Sequence, residues 1–358
     1  MQSVKIIAEA GVNHNGSIDL AKQLIDAASI AGADIIKFQT YKTDNLIVKD
    51  APKAAYQQQT TNQTQTQYEM LKKYELSTGD HRVLIDYCQQ KKIKFLSSAF
   101  DLESLDLLVN ELRLETIKFG SGEITNGPLL LQAAQWNKKI ILSTGMSTLS
   151  DIENALAVLA FGFLCDDFPK SLNDCYRAYF SKDAQELLAK NVILLHCTTE
   201  YPAPFAEVNL KAMDTMKQAF GLTIGFSDHT TGIATPIAAV ARGAMIIEKH
   251  FTLDKNLAGP DHQASIDPEE LTEMVKSIRQ IEKALGNGFK LPSKSELQNK
   301  DVIIKRLIAA DDIKQGDFFS RDNLTLKRSA QGISGIDYWR WLGKEAKRNY
   351  QQDEAVIE

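Results

Sequence analysis

Residues 5–40 read KIIAEAGVNHNGSIDLAKQLIDAASIAGADIIKFQT and contain a strand, a helix and a second strand in that order. The two ends, KIIAEAG (5–11) and IIKFQT (35–40), are short and apolar enough to be buried strands. Between them, 17–33 carries apolar residues at helical spacing behind a serine, which is a favoured helix start. This order is typical of a parallel βαβ unit.

The same order continues to about residue 286. The further strand candidates are 94–100 (KFLSSAF), 115–120 (ETIKFG), 138–145 (KKIILSTG), 192–198 (VILLHCT), 223–230 (TIGFSDHT) and 246–252 (IIEKHFT). The segments with helical spacing between them include 102–112, 149–161, 209–220 and 267–285. Eight βα units predict an α/β fold built on a closed (βα)8 TIM barrel, with an open doubly wound sheet as the alternative.

The alternation of strands and helices ends after Leu285. The segment GNGFKLPSKSE (286–296) that follows has the Gly, Pro and Ser content of a linker. We therefore predict a barrel domain over 1–286, a linker over 287–300 and a small β-rich domain over 301–358. A domain of about 55–60 residues is near the lower limit for independent folding, so we expect it to pack on a partner surface. The Gln/Thr-rich stretch 56–67 predicts a surface loop or a substrate-facing lid, and 162–190 is an insertion without an assigned function.

Composition excludes several classes of protein. The chain is 44% hydrophobic and 24% charged, with a formal net charge of −5, so no extended nucleic-acid surface is expected. No apolar run approaches the ~18 residues that span a bilayer, and the N-terminus lacks a signal-peptide core. These features predict a cytoplasmic protein without a membrane partner. The four cysteines, Cys88, Cys165, Cys175 and Cys197, are too widely spaced for a metal motif and are expected to be structural.

Polar residues gather at the strand ends where a TIM barrel places its active site. They are Glu9, Asn13, His14, Lys37, Gln39, Ser97, Ser98, Lys118, Ser121, Glu123, Ser143, Thr144, His196, Tyr201, Ser227, Asp228, His229 and His250. A packed core has no use for so many ionisable groups, because each buried charge costs several kcal/mol unless it is paired or binds a ligand. Their convergence predicts a ligand site.

Two strand-borne lysines, Lys37 and Lys118, supply the charges that a phosphate or carboxylate needs, and nearby serines supply hydroxyl donors. The glycines of GSG (120–122) and STG (143–145) stand at strand-to-helix turns, where a backbone can approach an anion. These features favour an anionic ligand.

His229 and His250 end the seventh and eighth strands, which are neighbours in a barrel, so their rings can converge on one divalent metal. Imidazole suits Mn²⁺, Zn²⁺ or Fe²⁺, and two protein ligands leave positions for water and a substrate oxygen. The alternative is that both histidines are hydrogen-bonded structural residues. Glu9, Glu123 and Asp261 can orient hydroxyl groups or transfer protons, or serve only as charge partners of the lysines.

Seven segments together resemble the sialic acid synthase family, the bacterial N-acetylneuraminate synthases and their relatives. They are IIAEAGVNHNGS (6–17), AGADIIKFQTYK (31–42), IKFGSGEITNGPLL (117–130), ILSTGMST (141–148), LLHCTTEYPAPFAEVNL (194–210), IGFSDHT (224–230) and EKHFTLDKNLAGPDHQASIDPEEL (248–271). The order and spacing are kept nearly end to end. Residues 313–347 are similar to the family's C-terminal antifreeze-like (SAF) domain.

The resemblance implies a (βα)8 barrel that condenses phosphoenolpyruvate with an N-acetylated hexose. It implies phosphoenolpyruvate on Lys37, Lys118, Ser121, Ser143 and Ser227, a metal on His229 and His250, and the acceptor sugar on Glu9, Glu123, Tyr201 and Asp261. The metal expected is Mn²⁺, with Mg²⁺ or Co²⁺ as alternatives. The resemblance also implies a domain-swapped homodimer in which Arg328 reaches the N-acetyl group of the sugar in the partner subunit.

Three departures from the family pattern lie in the predicted site. The family's STPF reads SSAF here, so Ser98 keeps the hydroxyl of a threonine expected near the phosphate, and Thr199 stands where some members have Asn. The family's KRPGNGIS reads KRSAQGIS (327–334), which keeps Arg328 but changes the residues after it.

The resulting hypothesis is an N-acetylneuraminate synthase with Lys37, Lys118, Glu9 and Glu123 as catalytic residues. The first alternative is an N,N'-diacetyllegionaminate synthase that uses 2,4-diacetamido-2,4,6-trideoxymannose, and a pseudaminic acid synthase is a more distant one. A non-catalytic carbohydrate-binding protein and an aldolase-type lyase are rivals from other classes.

Overall fold

The computed structural model describes residues 3–53 and 66–358. The chain divides into two compact units, Met1–Gly286 and Asn287–Glu358. The predicted loop or lid over 56–67 falls outside the described residues except for its last two positions.

Within those described ranges, eight parallel strands of the first unit close into a barrel in chain order, and the last strand pairs with the first. The strands are β1 (Lys5–Gly11), β2 (Ile35–Thr40), β3 (Lys94–Ala99), β4 (Thr116–Phe119), β5 (Lys139–Ser143), β6 (Val192–His196), β7 (Thr223–Asp228) and β8 (Ile246–His250). The predicted barrel is confirmed, and closure excludes the open doubly wound sheet.

Helices surround this barrel. They are α1 (Ile18–Ala31), α2 (Thr43–Leu46), α3 (Gln67–Tyr74), α4 (Thr78–Lys91), α5 (Leu102–Asp106), α6 (Gly127–Gln135), α7 (Leu149–Leu164), α8 (Leu172–Tyr179), α9 (Lys182–Asn191), α10 (Ala212–Phe220), α11 (Ala234–Ala241) and α12 (Pro268–Ala284). Ser17 caps α1, where its side chain accepts a hydrogen bond from Leu20 N, and Gly32 ends that helix in the left-handed conformation at φ 82°. The insertion over 162–190 therefore consists of the end of α7, all of α8 and most of α9.

Strand alternation decides what faces the inside of the barrel, because successive side chains point to opposite faces. Residues such as Ile6 and Phe38 point outward and pack under the helices. The inward positions are apolar in one layer of the barrel, where Ile7, Leu96, Ile141, Leu195 and Ile246 form a cluster. The next inward positions along the same strands carry carboxylate, hydroxyl and thiol side chains of the site, namely Glu9, Ser98, Ser143, Cys197 and Glu248. The barrel thus has an apolar floor beneath a polar mouth.

The last four barrel strands each end two residues before the predicted limit, at Ser143, His196, Asp228 and His250. The residues that follow leave the sheet, because they form the mouth of the barrel instead of continuing the ladder. Thr144 lies at this limit: its backbone N–H still makes a β5–β6 ladder bond to Leu195 O at 3.0 Å, and its side-chain hydroxyl donates to the same carbonyl at 3.0 Å.

The second unit contains α13 (Lys294–Ile303), an antiparallel pair made of β9 (Lys305–Ala309) and β10 (Leu324–Arg328), and α14 (Tyr338–Trp341). It has a hydrophobic core of its own, formed by Leu307, Ala309, Ile313, Phe319, Leu324, Ala346, Tyr350 and Val356. Helix α13 covers residues 294–300 of the stretch predicted as linker. The reason is the capping box of Ser293 and Glu296, which starts a helix within a polar sequence.

No helix in residues 3–53 and 66–358 is both long enough and apolar enough to cross a membrane.

Candidate active site

A cavity of about 230 Å³ opens at the carboxyl ends of the barrel strands. Most of the predicted site residues line it. They are Glu9, Lys37, Ser98, Lys118, Ser121, Ser143, Thr199, Tyr201, Ser227, His229, His250 and Asp261. Residues from all eight strands or the turns that follow them therefore meet in one place.

Lys37 makes the first of two sets of polar contacts in the cavity. Its Nζ is 3.1 Å from Glu9 Oε2 and 3.3 Å from Glu248 Oε2, and it donates to Ser98 Oγ at 3.1 Å. Gln39 also contacts this group, since its Nε2 donates to Glu9 Oε1 at 3.4 Å. These groups lie on the inner faces of four adjacent strands, β8, β1, β2 and β3.

Lys118 makes the second set of polar contacts in the cavity. Its Nζ donates to Ser143 Oγ at 2.8 Å and lies 3.4 Å from Glu248 Oε1. Glu248 therefore bridges the two lysines, and its Oε1 also accepts a hydrogen bond from Ser227 Oγ at 2.8 Å. The hydroxyl hydrogens of Ser98 and Ser143 are not used by these lysine contacts, because each serine accepts from its lysine.

The protonation of this cluster follows from burial and charge. Burial opposes the charge on Glu248, but the two ammonium groups outweigh it and hold its pKa well below the usual range. Burial raises the pKa of Glu9 to about 7, against the attraction of Lys37. Burial would lower the pKa of Lys37, but Glu248 and Glu9 raise it above the usual value, whereas for Lys118 burial prevails and the pKa falls. Two cations thus face one firmly ionised carboxylate and one that is easily protonated.

His229 and His250 face each other across the mouth, with ring centroids 5.5 Å apart. The Nδ1–H of His229 donates to Thr198 O at 2.6 Å, so Nε2 carries the free lone pair. Burial lowers the pKa of His229 to about 4 and that of His250 well below its usual value, so both rings are neutral at pH 7. Nδ1 of His250 is buried without a hydrogen-bond partner.

These two imidazoles have the chemistry of metal ligands, because neutral nitrogen donors and an unpartnered buried nitrogen suit a divalent cation. The described residues include no group of three or more His, Cys, Asp or Glu side chains placed to hold a metal. A cation bound here would therefore take its remaining ligands from water and substrate. Asp261 is the nearest carboxylate, with Oδ2 3.8 Å from His250 Nδ1, and burial raises its pKa to about 6.

Two predicted site residues do not line this cavity. Glu123 lies in the 3-10 turn Ser121–Thr125, where its Oε2 accepts from Asn126 Nδ2 at 2.7 Å and where burial raises its pKa. Arg328 belongs to the second unit, at the end of β10, and its side chain is exposed.

Glu248 and Cys197 line the cavity and were not predicted as site residues. Glu248 lies two residues before His250 in β8, so strand alternation places both side chains on the same face. The two-residue period of a strand was therefore a signal in the sequence that could have identified Glu248 as a site residue. Cys197 was expected to be structural, but its Sγ lies 3.1 Å from Ser121 Oγ in the cavity wall. No spacing in the sequence marks that contact.

Gly145 allows two strand ends to approach closely. Its N–H donates to Ser121 Oγ at 2.9 Å. A Cβ at this position would lie 2.8 Å from the same oxygen and would overlap Thr199 Oγ1. The STG turn therefore orients Ser121 through a backbone donor.

The chain matches known proteins over most of its length. Residues 24–290 match the NeuB family. The chain is 52% identical over 358 residues to the N,N'-diacetyllegionaminic acid synthase of Campylobacter jejuni, covering 100% of both chains. It is 42% identical to the enzyme of the same name from Legionella pneumophila, over 98% of this chain and 93% of the other.

A solved relative supports the same assignment. The N-acetylneuraminic acid (sialic acid) synthetase of Leptospira borgpetersenii superposes with a TM-score of 0.67 at 34% identity, over 84% of this chain and 91% of that one. With a family match over most of its length and full-length relatives above 30% identity, the chain belongs to the NeuB family, the family of the sialic acid synthases.

Proposed function

We propose that the protein condenses phosphoenolpyruvate with an N-acetylated hexose and water, and releases phosphate. The observation that carries this proposal is the buried pair Lys37 and Lys118, each hydrogen-bonded to a serine, beneath two neutral imidazoles. A buried pair of ammonium groups suits a small ligand with two anionic ends, such as phosphoenolpyruvate. Carbohydrate binding without chemistry would not require them.

The lysines and serines account for binding of the anion. Lys37 and Lys118 neutralise the phosphate and the carboxylate, while the free hydroxyl hydrogens of Ser98 and Ser143 donate to their oxygens. Ser121, oriented by Gly145 N–H, offers a third hydroxyl group. Ser227 is committed to Glu248 and would act mainly by orienting that carboxylate.

Glu9 is the proton-transfer group that the electrostatics support best. Its pKa of about 7 already permits both protonation states, and a bound anion would raise it further through like-charge repulsion. In the reaction C3 of phosphoenolpyruvate forms a bond to the aldehyde carbon, water adds at C2, and the C2–O bond to phosphate breaks. The added water loses both protons: one reaches the aldehyde oxygen, and the other leaves with phosphate as C2 becomes a carbonyl. One group near both centres can relay the first of these protons. Glu123 remains a prediction for this role.

His229 and His250 would hold the divalent cation, with Mn²⁺ as the first choice and Mg²⁺ or Co²⁺ as alternatives. When bound, such an ion supplies Lewis-acid polarisation of the aldehyde. Chelator-treated protein should lose activity and regain it with added Mn²⁺, and full activity after chelation would contradict the metal role.

The acceptor proposed is 2,4-diacetamido-2,4,6-trideoxymannose, which would give N,N'-diacetyllegionaminic acid. Support comes from the full-length identity of 52% to a synthase with that product. N-acetylmannosamine is the second candidate, supported by the likeness at 34% identity to an N-acetylneuraminic acid synthetase. In both cases Tyr201, Asp261 and Thr199 in the cavity wall would contact the sugar.

The second unit would act as an antifreeze-like (SAF) domain over 301–358, tethered by 287–300. We propose that it completes the site of a partner subunit in a domain-swapped homodimer, where Arg328 would contact the N-acetyl group. The exposure of that arginine in its own unit leaves it available for such a contact.

The test is phosphate release from phosphoenolpyruvate with a panel of acetamido sugars. The diacetamido sugar should give the highest kcat/KM, and N-acetylmannosamine a lower one. His229→Ala should abolish release while circular dichroism stays unchanged. Release with no sugar in the panel would contradict the synthase, whereas trapping of pyruvate by borohydride would indicate an aldolase-type lyase.

A further inference from the structure

A buried ion pair lies on the outer side of the strands that carry the two histidines. Lys249 Nζ and Asp228 Oδ2 are 2.6 Å apart, and both side chains are 0% exposed. Neither residue lines the active-site cavity, because strand alternation turns both away from it. The pair therefore takes no part in the chemistry proposed above.

This pair ties the two strands together at the level of the histidines. Asp228 and Lys249 are opposite each other in the β7–β8 register. The residues on either side of them, Ser227 with His229 and Glu248 with His250, face the cavity. The outward Asp228–Lys249 contact thus lies between four residues whose side chains face the cavity.

The same pair fixes the chain on both sides of His229. Asp228 Oδ1 accepts from Thr230 N at 3.0 Å, and its Oδ2 accepts from Thr230 Oγ1 at 3.1 Å. Lys249 Nζ also donates to the carbonyl of Thr230. His229 itself is held through Nδ1–H to Thr198 O and through its carbonyl, which accepts from Ala203 N at 2.8 Å. Both neighbours of His229 are therefore anchored to the residue that precedes His250.

Stability alone does not explain such a pair. Replacing a buried ion pair by apolar residues of similar volume is often neutral or stabilising, because desolvation offsets the attraction of the charges. A buried pair beside two histidines that must converge is better explained by the geometry that it imposes.

We propose that Lys249 and Asp228 are positioning residues that hold His229 and His250 at the separation needed to bind one divalent cation. This inference rests on the metal role proposed above. Groups that orient metal ligands through a hydrogen bond or ion pair typically change metal affinity by about 10- to 100-fold when removed.

The experiment compares Lys249→Met with wild type in metal-free protein. Mn²⁺ affinity is measured by electron paramagnetic resonance of the free ion, and phosphoenolpyruvate affinity by calorimetry in the presence of chelator. Mn²⁺ binding should weaken by about 10- to 100-fold, while phosphoenolpyruvate binding stays within about twofold. A merely structural defect would weaken both.

Two further variants keep the test decisive. Lys249→Met with Asp228→Asn removes both charges but leaves an acceptor for Thr230 N, so it should fold even where the single variant does not, and it should show the same selective loss. Arg279→Met removes a cation from the ion pair with Asp34, 2.7 Å apart, and should leave Mn²⁺ affinity unchanged.

The outcomes separate the two proposals. If wild type binds Mn²⁺ and the folded Lys249 variants bind it equally well, the positioning role is wrong and the metal site stands. If wild type binds no Mn²⁺, both the metal role and the positioning role are overturned. Equal losses of Mn²⁺ and phosphoenolpyruvate affinity would also overturn the positioning role.

Discussion

Replacing Glu248 by Gln tests whether this carboxylate balances the charge of the two buried lysines. Glu248 is 3% exposed and lies 3.3 Å from Lys37 Nζ and 3.4 Å from Lys118 Nζ. Lys37 keeps Glu9 at 3.1 Å in the variant. Lys118 loses its one ion pair within residues 3–53 and 66–358 and becomes an unpaired buried cation.

The size of the effect follows from that loss. Removing one partner of a buried pair typically costs about 3–5 kcal/mol. For the unit Met1–Gly286, at about 2.1 cal/mol/K of unfolding entropy per residue, that corresponds to a fall in Tm of roughly 5–8 °C. Phosphoenolpyruvate supplies the missing negative charge, so the rise in Tm that it causes should be larger in Glu248→Gln than in wild type.

The assay is thermal unfolding followed by circular dichroism, with and without phosphoenolpyruvate at pH 7. Asp34→Asn is the matched control, because it removes a carboxylate that pairs with Arg279 and Lys5 away from the cavity. It should lower Tm by less and leave the phosphoenolpyruvate effect unchanged. A Glu248 variant that melts like wild type, or one that phosphoenolpyruvate stabilises less than wild type, would refute the charge balance.

Three further predictions concern other parts of the molecule. Gly145→Ala should lower kcat/KM about 5- to 160-fold, because its Cβ displaces Ser121 or Thr199 at a cost of about 1–3 kcal/mol. Gly127→Ala, at a position outside the cavity with nothing within 4 Å of its Cβ, should leave kcat/KM unchanged, and equal kinetics for the two variants would contradict the packing argument. Burial opposes the ionisation of Asp34, but bonds from Ile6 N, Lys5 and Arg279 lower its pKa below the ordinary 3.8. Its contribution to stability is therefore present above that value and is lost as pH falls through the lower folded pKa. In urea unfolding, the difference in free energy of unfolding between wild type and Asp34→Asn should be constant near neutral pH and should shrink in acid. A difference that grows in acid would be inconsistent with this reasoning. Finally, mixing the inactive variants Arg328→Ala and His229→Ala should restore activity at about a quarter of the sites, since one site of each mixed dimer is intact; no recovery after proven exchange would exclude the swapped domain.

The order of the strands was predictable because the local sequence patterns of strands and helices agree with the elements that the barrel contains. The limits of β1 and β2 coincide with the predicted 5–11 and 35–40, where a capped helix separates two short buried runs. The later strands were predicted too long, because Thr144 and Thr230 are β-branched like strand residues but lie in the turns at the mouth of the barrel.

The candidate site was predictable as a set of residue types but not as a network. Lys37, Lys118 and the strand-end serines follow from where a barrel places its strand ends. The bridging role of Glu248 depends on side-chain reach, and the Lys249–Asp228 pair depends on register between strands 21 residues apart in the chain. Register and reach are tertiary properties that a local pattern does not encode.

The pairing of both lysines before any substrate arrives has a consequence for association. Cations that are already paired with carboxylates project a weaker field into solvent than unpaired ones, so they exert less long-range attraction on a multiply charged anion. Substrate entry is then an exchange of counterions within the barrel, in which Glu248 and Glu9 give up lysine contacts to the incoming phosphate and carboxylate. Such an exchange discriminates by shape at short range, and abundant inorganic anions that cannot span both ammonium groups gain little by entering.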